Sequence, residues 1–196
     1  MSVPATDEEL MQKLGAGSLE AFEALYTRYR RRRYTFLVRC VHNEALAEDL
    51  YQETFLRVLR AAPRWRPQAR FSTWLYRVAL NLCLDVRRRE LFPVADPAPA
   101  ETLADLRPGP QESVQSAELS LDLERALARL SIEHRAVLLL RYGQGLSERE
   151  VAEIVGCPVG TVKSRLHHAL RHLRRELGAQ QGSVAEPDTE SSEHVG

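Results

Sequence analysis

Three observations predict an all-α fold. Apolar residues recur at spacings of three and four, as in Phe22, Leu25, Tyr26 and Tyr29, and again in Leu75, Val78, Ala79, Leu82 and Val86. That is the period of an amphipathic helix, and the strict alternation of a half-buried strand is absent. Five of the ten prolines, Pro93, Pro97, Pro99, Pro108 and Pro110, fall within residues 91–117, where no apolar period survives. The predicted architecture is therefore two small helical domains, 1–90 and 118–178. A flexible, Pro-rich acidic linker over 91–117 joins them, and a disordered acidic tail covers 179–196.

The first domain is expected to hold helices near 6–15, 18–41, 44–61 and 72–90, with Ser18 and Ser72 as N-caps of the second and fourth. Helices near 118–130, 132–143, 147–155 and 158–177 are expected in the second. Within it, Ser147-Glu148-Arg149-Glu150 reads as a capping box. Gly156 supplies the left-handed turn that ends a short helix, and Pro158 suits the first position of the next. A short helix, a Gly-containing turn and a longer helix form helix-turn-helix grammar. On the longer helix Val162, Leu166, Ala169, Leu170 and Leu173 make one apolar stripe. Gly160, Ser164, His167, His168 and Arg171 lie opposite, with Lys163 and Arg165 on the flanks. No acidic residue occurs from Gly156 to Arg175, as suits a helix that meets phosphates and base edges.

Net charge is zero, with 27 Lys/Arg against 27 Asp/Glu, but it is segregated along the chain. Residues 1–95 carry 16 cations against 11 anions, and 123–178 carry 10 against 6. Residues 96–122 carry 1 against 6, and 179–196 carry 0 against 4. Two basic blocks separated by an acidic one fit two nucleic-acid-facing modules. The longest aliphatic run, Ala136 to Leu140, is far too short to cross a bilayer, and the acidic N-terminus has no secretory h-region, so neither membrane insertion nor export is expected. Cys40, Cys83 and Cys157 are far apart and odd in number, which supports neither a disulfide framework nor a zinc finger and points to a reducing cytoplasm. Each is expected to pack as a small hydrophobe. His168 and His172 have i,i+4 spacing but no third ligand nearby, so no metal site is expected.

Helix 44–61 places Ala47, Leu50, Tyr51, Thr54, Phe55 and Val58 on one side. Its reverse carries Asp49, Gln52, Glu53 and an out-of-place Leu56, as a protein interface with a small apolar centre would; the alternative is a solvated face with one stray leucine. The loop Arg64-Trp65-Arg66-Pro67-Gln68-Ala69-Arg70-Phe71 interleaves cations with aromatics, which suits unpaired bases; the alternative is a structural aromatic loop. The following helix leaves Trp74, Arg77, Asn81, Asp85 and Arg88 off its buried stripe. Arg30 to Arg33 form a further cationic cluster, expected to be solvated.

AEDLYQETFLRV at 47–58, FSTWLYRVALNLCLDVRRR at 71–89 and SEREVAEIVGCPVGTVKSRLHHAL at 147–170, in this order, resemble the bacterial RNA polymerase sigma factors of the extracytoplasmic-function type. The likeness covers nearly all of 18–178, in the minimal layout of region 2, linker and region 4. It implies that Asp49, Gln52, Glu53 and Leu56 dock on the clamp helices of the polymerase largest subunit, and that region 4 meets the flap. It also implies that Arg64, Trp65, Arg66, Arg70, Phe71, Arg77, Asn81 and Arg88 capture and melt the −10 element of promoter DNA. Lys163, Ser164, Arg165, His167, His168 and Arg171 match the −35-reading positions. An anti-sigma factor is an implied partner; a cofactor and a small-molecule substrate are not. His168 and Leu170 stand where the family more often has arginine, Ser131 replaces a frequent proline, and the acidic tail is extra.

No Ser/His/Asp or Cys/His set is spaced for catalysis, and no phosphate-cradling glycine loop is present. A stand-alone helix-turn-helix repressor or activator would leave the surfaces of 44–90 unexplained. An adaptor that kept the fold and lost promoter recognition is the third class. Copurification with polymerase separates the first two readings, and run-off transcription separates the first from the third.

Overall fold

The computed structural model describes residues 5–67, 69–91 and 114–182, and every regular element among them is helical. Helix α1 (Asp7–Gly15) opens on a capping box in which Thr6 and Glu9 serve each other's backbone N–H groups. Helix α2 (Leu19–Val41) is capped by Ser18, which accepts from the Ala21 N–H, and ends at His42 in the left-handed region with φ 51°. Asn43 caps α3 (Glu44–Ala61), and a single 3-10 turn, Ala62–Arg64, follows. Gly15 is fixed by this turn: a Cβ there would stand 2.6 Å from the Ala62 carbonyl oxygen, so only glycine allows the approach.

Helix α4 (Phe71–Leu91) corrects one expectation. Ser72 is not its N-cap, because the helix begins a residue earlier. The Phe71 N–H instead donates to the Glu8 carboxylate of α1 at 3.1 Å. The cap comes from a separate helix, which no local sequence pattern reveals.

In the second module α5 (Val114–Ala128) begins inside the stretch assigned to the linker, and α8 (Val159–Gly182) runs four residues into the assigned tail. The linker and tail expectations over 92–113 and 183–196 lie outside the described residues. Ser131 caps α6 (Ile132–Leu138). The expected continuous helix to 143 instead widens into a π-helical turn, Leu139–Gly143. Its closing bond runs from the Gln144 N–H to the Leu139 carbonyl at 3.0 Å. Helix α7 (Glu148–Val155) shows both bonds of the predicted Ser147–Glu150 capping box, and Gly156 ends it at φ 71°.

The first module's core gathers Met11, Leu25, Leu37, Val58, Phe71 and Leu75, all fully buried; Val137, Leu140, Val151, Val162 and Ala169 do the same in the second module. The two bundles are not separate: α2 and α4 of the first lie against α6 and α7 of the second, and one apolar core runs through both. Arg135 joins them, being 8% exposed. It donates to the carbonyls of Leu127 (2.9 Å), Ala128 (3.0 Å) and Leu130 (2.8 Å), and to that of Cys40 in α2. One guanidinium thus satisfies carbonyls left open at the ends of two helices from different modules. Cys40 and Cys83 are buried as expected of small hydrophobes, and Cys157 is half-buried.

Candidate nucleic-acid interface

On α3 the apolar stripe is buried as predicted: Ala47, Leu50, Tyr51, Thr54, Phe55 and Val58 all face inward. Packing that stripe against α2 forces the opposite face outward. Asp49 and Gln52 are exposed and Leu56 is 45% exposed, a large apolar side chain among polar groups. Glu53 is less free than its neighbours, since its carboxylate pairs with Arg57 at 3.1 Å and Arg60 at 3.3 Å. The face combines an apolar centre with a polar rim, the anatomy of a docking surface.

At the C-terminal end of α3 the chain turns through Pro63 into the aromatic–cation loop. Trp65 and Trp74 meet with ring centroids 4.9 Å apart, and each also packs on Phe71 at 5.9 Å. A cleft of about 390 Å³ opens beside them, lined by Arg60, Arg64, Trp65, Arg66, Trp74 and Arg77 among others. Flat rings, guanidiniums and a volume of that order suit one unpaired nucleotide. Phe71 is the exception among the predicted contact residues. It is fully buried, so its ring cannot stack on a base and instead fixes the two tryptophans. Asn81, Arg77 and Arg88 are exposed further along α4. Arg88 sits 3.8 Å from Asp85, a weak exposed pairing.

The Arg30–Arg33 cluster divides. Arg30, Arg31 and Arg32 are exposed as expected, but Arg33 is 1% exposed, which overturns the solvated reading for that residue. Its guanidinium lies between the rings of Tyr29 (4.8 Å) and Tyr76 (3.0 Å) and donates to the Ser72 carbonyl at 3.2 Å. Burial pushes its pKa down to about 10. Sequence reasoning had one available signal: Arg33 lies at i+4 from Tyr29, on the same face as Phe36 and Leu37.

On α8 the apolar residues Val162, Leu166, Ala169 and Leu173 are buried, while Lys163, Ser164, His167, His168 and Arg171 are exposed. Arg165 is half-buried at the edge of that surface. Lys163 stands 3.8 Å from Glu148. His168 Nδ1 and Arg171 are 2.9 Å apart, so this imidazole holds a guanidinium on the outer face. The neighbouring His134 ring is kept below the usual histidine pKa, by burial first and then by Arg165 and His168. Among the described residues no group of three or more His, Cys, Asp or Glu side chains is placed to hold a metal ion. No helix there is long and apolar enough to cross a membrane.

Residues 25–91 match the Sigma-70 region 2 family and residues 120–173 match Sigma-70 region 4. The RNA polymerase sigma factor CarQ of Myxococcus xanthus is 35% identical over 89% of this chain and 99% of its own. The chain belongs to the extracytoplasmic-function sigma factors. SigW of Bacillus subtilis, of the same type, is 33% identical over 85% of this chain and 94% of its own. The fold agrees with the sigma factor RpoE of Bartonella quintana, solved with the anti-sigma factor NepR: TM-score 0.67, 23% identity, 82% of this chain and 98% of that one. As a sigma factor, the protein works with RNA polymerase in promoter-specific transcription initiation. Its two family matches fall on the two helical modules, so the exposed α3 face and the Arg–Trp cleft lie in region 2 and the α8 surface in region 4.

Proposed function

We propose that region 2, residues 1–90, carries polymerase docking and −10 melting, and that region 4, 118–178, reads the −35 element. Residues 91–117 tether the two, and 179–196 form an acidic tail. Asp49, Gln52, Glu53 and Leu56 meet the clamp helices of core polymerase, where cationic partners would complement the acidic rim. Arg64, Trp65, Arg66, Arg70, Arg77, Asn81 and Arg88 hold the opened −10 strand, with Phe71 supporting from below. Lys163, Ser164, His167, His168 and Arg171 enter the major groove at −35, with Arg165 at the margin. The protein acts by binding alone, in the cytoplasm, and needs no cofactor or small-molecule substrate. An anti-sigma partner is part of this reading, since RpoE was solved with NepR and CnrH with the cytosolic domain of CnrY.

The observation that carries it is the Arg–Trp cleft beside an exposed acid-and-leucine face on one module. Run-off transcription with core polymerase, with start sites mapped genome-wide, tests it. Discrete new start sites sharing two spaced elements are expected. Transcription no different from core polymerase alone would overturn the reading.

A further inference from the structure

Arg30 and Arg31 lie outside the docking, −10 and −35 surfaces described above. Tyr26, Arg30 and Tyr34 follow one another at four-residue steps, so α2 carries them in one row. Facing that row, α3 presents Glu48 and Tyr51, three residues apart and hence on one side of the helix. Packing of α2 on α3 closes the two faces around a cleft of about 420 Å³, which Arg31 and Thr35 also line. It shares no lining residue with the cleft beside Trp65. Tyr51 forms its floor, being 2% exposed, and the Tyr26 and Tyr34 rings meet it edge-on with centroids 5.3 and 6.3 Å away. The Tyr51 hydroxyl oxygen is buried yet makes no hydrogen bond. Burial first pushes this phenol's pKa well above its ordinary 10, and Tyr26, Arg30 and Glu48 all act on the same oxygen. The oxygen is therefore on the cleft side of the ring. Buried polar groups are nearly always paired, so an orphan hydroxyl at the floor of a cleft is a hydrogen-bonding group held for a ligand.

The walls carry both signs of charge. Arg30 and Arg31 are exposed, and among the described residues neither is held in an ion pair. Glu48 is exposed, and one of its oxygens accepts a long bond from the Gln52 amide at 3.4 Å, leaving the other for a ligand. The Thr35 hydroxyl already donates to the Arg31 carbonyl at 2.9 Å. Guanidiniums take phosphate oxygens in pairs, and tyrosine rings take a flat heterocycle. A carboxylate only accepts, so Glu48 selects a ring edge bearing N–H donors and keeps phosphates at the arginine end. Guanine offers N1–H and N2–H side by side and meets a carboxylate with two bonds. The corresponding edge of adenine sets one donor beside an acceptor. We infer that the α2–α3 cleft binds a free guanine nucleotide, its base among the tyrosines with an edge on Glu48 and its phosphates on Arg30 and Arg31. The Tyr51 hydroxyl gains its partner from the bound nucleotide. A strand suits the cleft less well, because its phosphates continue on both sides of each sugar and would meet Glu48. The nucleotide is an effector and not a substrate, since no group in the cleft is paired with a base for nucleophilic attack. The site stands apart from the docking and −10 assignments and does not rest on them.

The test titrates the full-length chain with GDP by calorimetry. GDP should bind saturably at a single site, with ADP, guanosine and pyrophosphate each at least about ten-fold weaker. Arg30→Ala and Arg31→Ala, at exposed positions, should each weaken GDP at least about five-fold. Glu48→Gln should bring GDP and ADP to within about two-fold of each other. Tyr51→Phe removes only the hydroxyl, so the nucleotide-free chain should melt at a higher temperature while GDP binds more weakly. Arg32→Ala, exposed but outside the cleft, should leave GDP affinity within about two-fold of wild type, and Trp65→Ala should do the same. Absence of saturable binding at millimolar GDP would overturn the site. So would an equal loss in Arg32→Ala, which would show general attraction to a cationic surface. A loss in Trp65→Ala would move the nucleotide to the other cleft. A single-stranded oligonucleotide that displaces GDP and binds more tightly would make the cleft a strand contact instead.

Discussion

The guanidinium carbon of Arg33 lies 3.0 Å from the centre of the Tyr76 ring, and the same arginine is 1% exposed with its Nε and Nη1 unpaired. A cation buried with no carboxylate in direct contact costs desolvation energy that the tyrosine contacts, one bond to the Ser72 carbonyl and the field of Asp7 behind Tyr29 only partly offset. Arg33→Met should therefore be tolerated or raise stability by about 1 kcal/mol, since a long apolar side chain fills the site without a charge. Arg33→Ala should lose about 3 kcal/mol by leaving a cavity. Urea unfolding of both variants checks this. A loss in Arg33→Met as large as in Arg33→Ala would show that the charge itself stabilises the fold.

His42 offers a pH-dependent counterpart at the other end of α2. Burial first, then the nearby Arg135, push its pKa from the ordinary 6.5 down to about 4. Its Nε2 is buried with no partner. The folded chain therefore resists a proton that the unfolded chain accepts. Stability is whole above pH 6.5 and is lost as pH falls from there toward about 4. His42→Asn keeps a residue type that tolerates the left-handed backbone while removing the titration. Its melting temperature should fall less than that of the wild type between pH 7.5 and 5.0. Equal falls would remove His42 from the acid response.

Helix existence and the α3 and α8 faces were legible because each depends on local spacing. Leu56 among acids on α3 and the acid-free outer face of α8 could be read from a helical wheel alone, and the Ser147–Glu150 box from four residues. What escaped depends on groups far apart in the chain. Glu8 caps α4 across 63 residues, and Arg135 reaches Cys40 across 95. Phe71 looked like a stacking residue because an aromatic among arginines has the same local signature whether its ring faces a base or the core. The packing of Tyr29, Trp65 and Trp74 around it decides which. The union of the two modules was hidden by the Pro-rich stretch between them, whose composition says nothing about what its ends dock against.

The α3 face makes a separable prediction about binding and stability. Asp49→Ala and Gln52→Ala should each shift stability by no more than about 0.5 kcal/mol, as exposed side chains opposite the buried stripe. Glu53→Ala loses two intrahelical partners, Arg57 and Arg60, and should cost about 0.5 kcal/mol more than either. The triple variant should bind core polymerase at least about ten-fold more weakly while remaining folded at 25 °C. Competition against labelled wild type, alongside a thermal melt, measures both. A folded triple variant with unchanged core affinity would move docking off α3.

The cleft beside Trp65 makes the most specific claim, because its two aromatic walls have different supports. Trp65 is half-buried and follows a single 3-10 turn, whereas Trp74 is carried by α4 itself. Trp65→Ala should remove a stacking surface worth about 1–3 kcal/mol per base while leaving α4 in place. Asn81→Ala removes only an exposed amide, so it should leave the fold unchanged and weaken contacts to an opened strand. Both variants should assemble into holoenzyme normally yet form open complexes at least about ten-fold more slowly on duplex promoter, that factor corresponding to 1.4 kcal/mol. A template pre-melted across the −10 element removes the cost of opening, so most of the lost activity should return on it. Phe71→Ala should behave differently: its fully buried ring supports both tryptophans, so stability falls by about 3–5 kcal/mol along with melting. Permanganate footprinting of open complexes with unfolding measurements separates the three. Trp65→Ala and Asn81→Ala holoenzymes that open duplex at the wild-type rate would take the melting role away from this cleft.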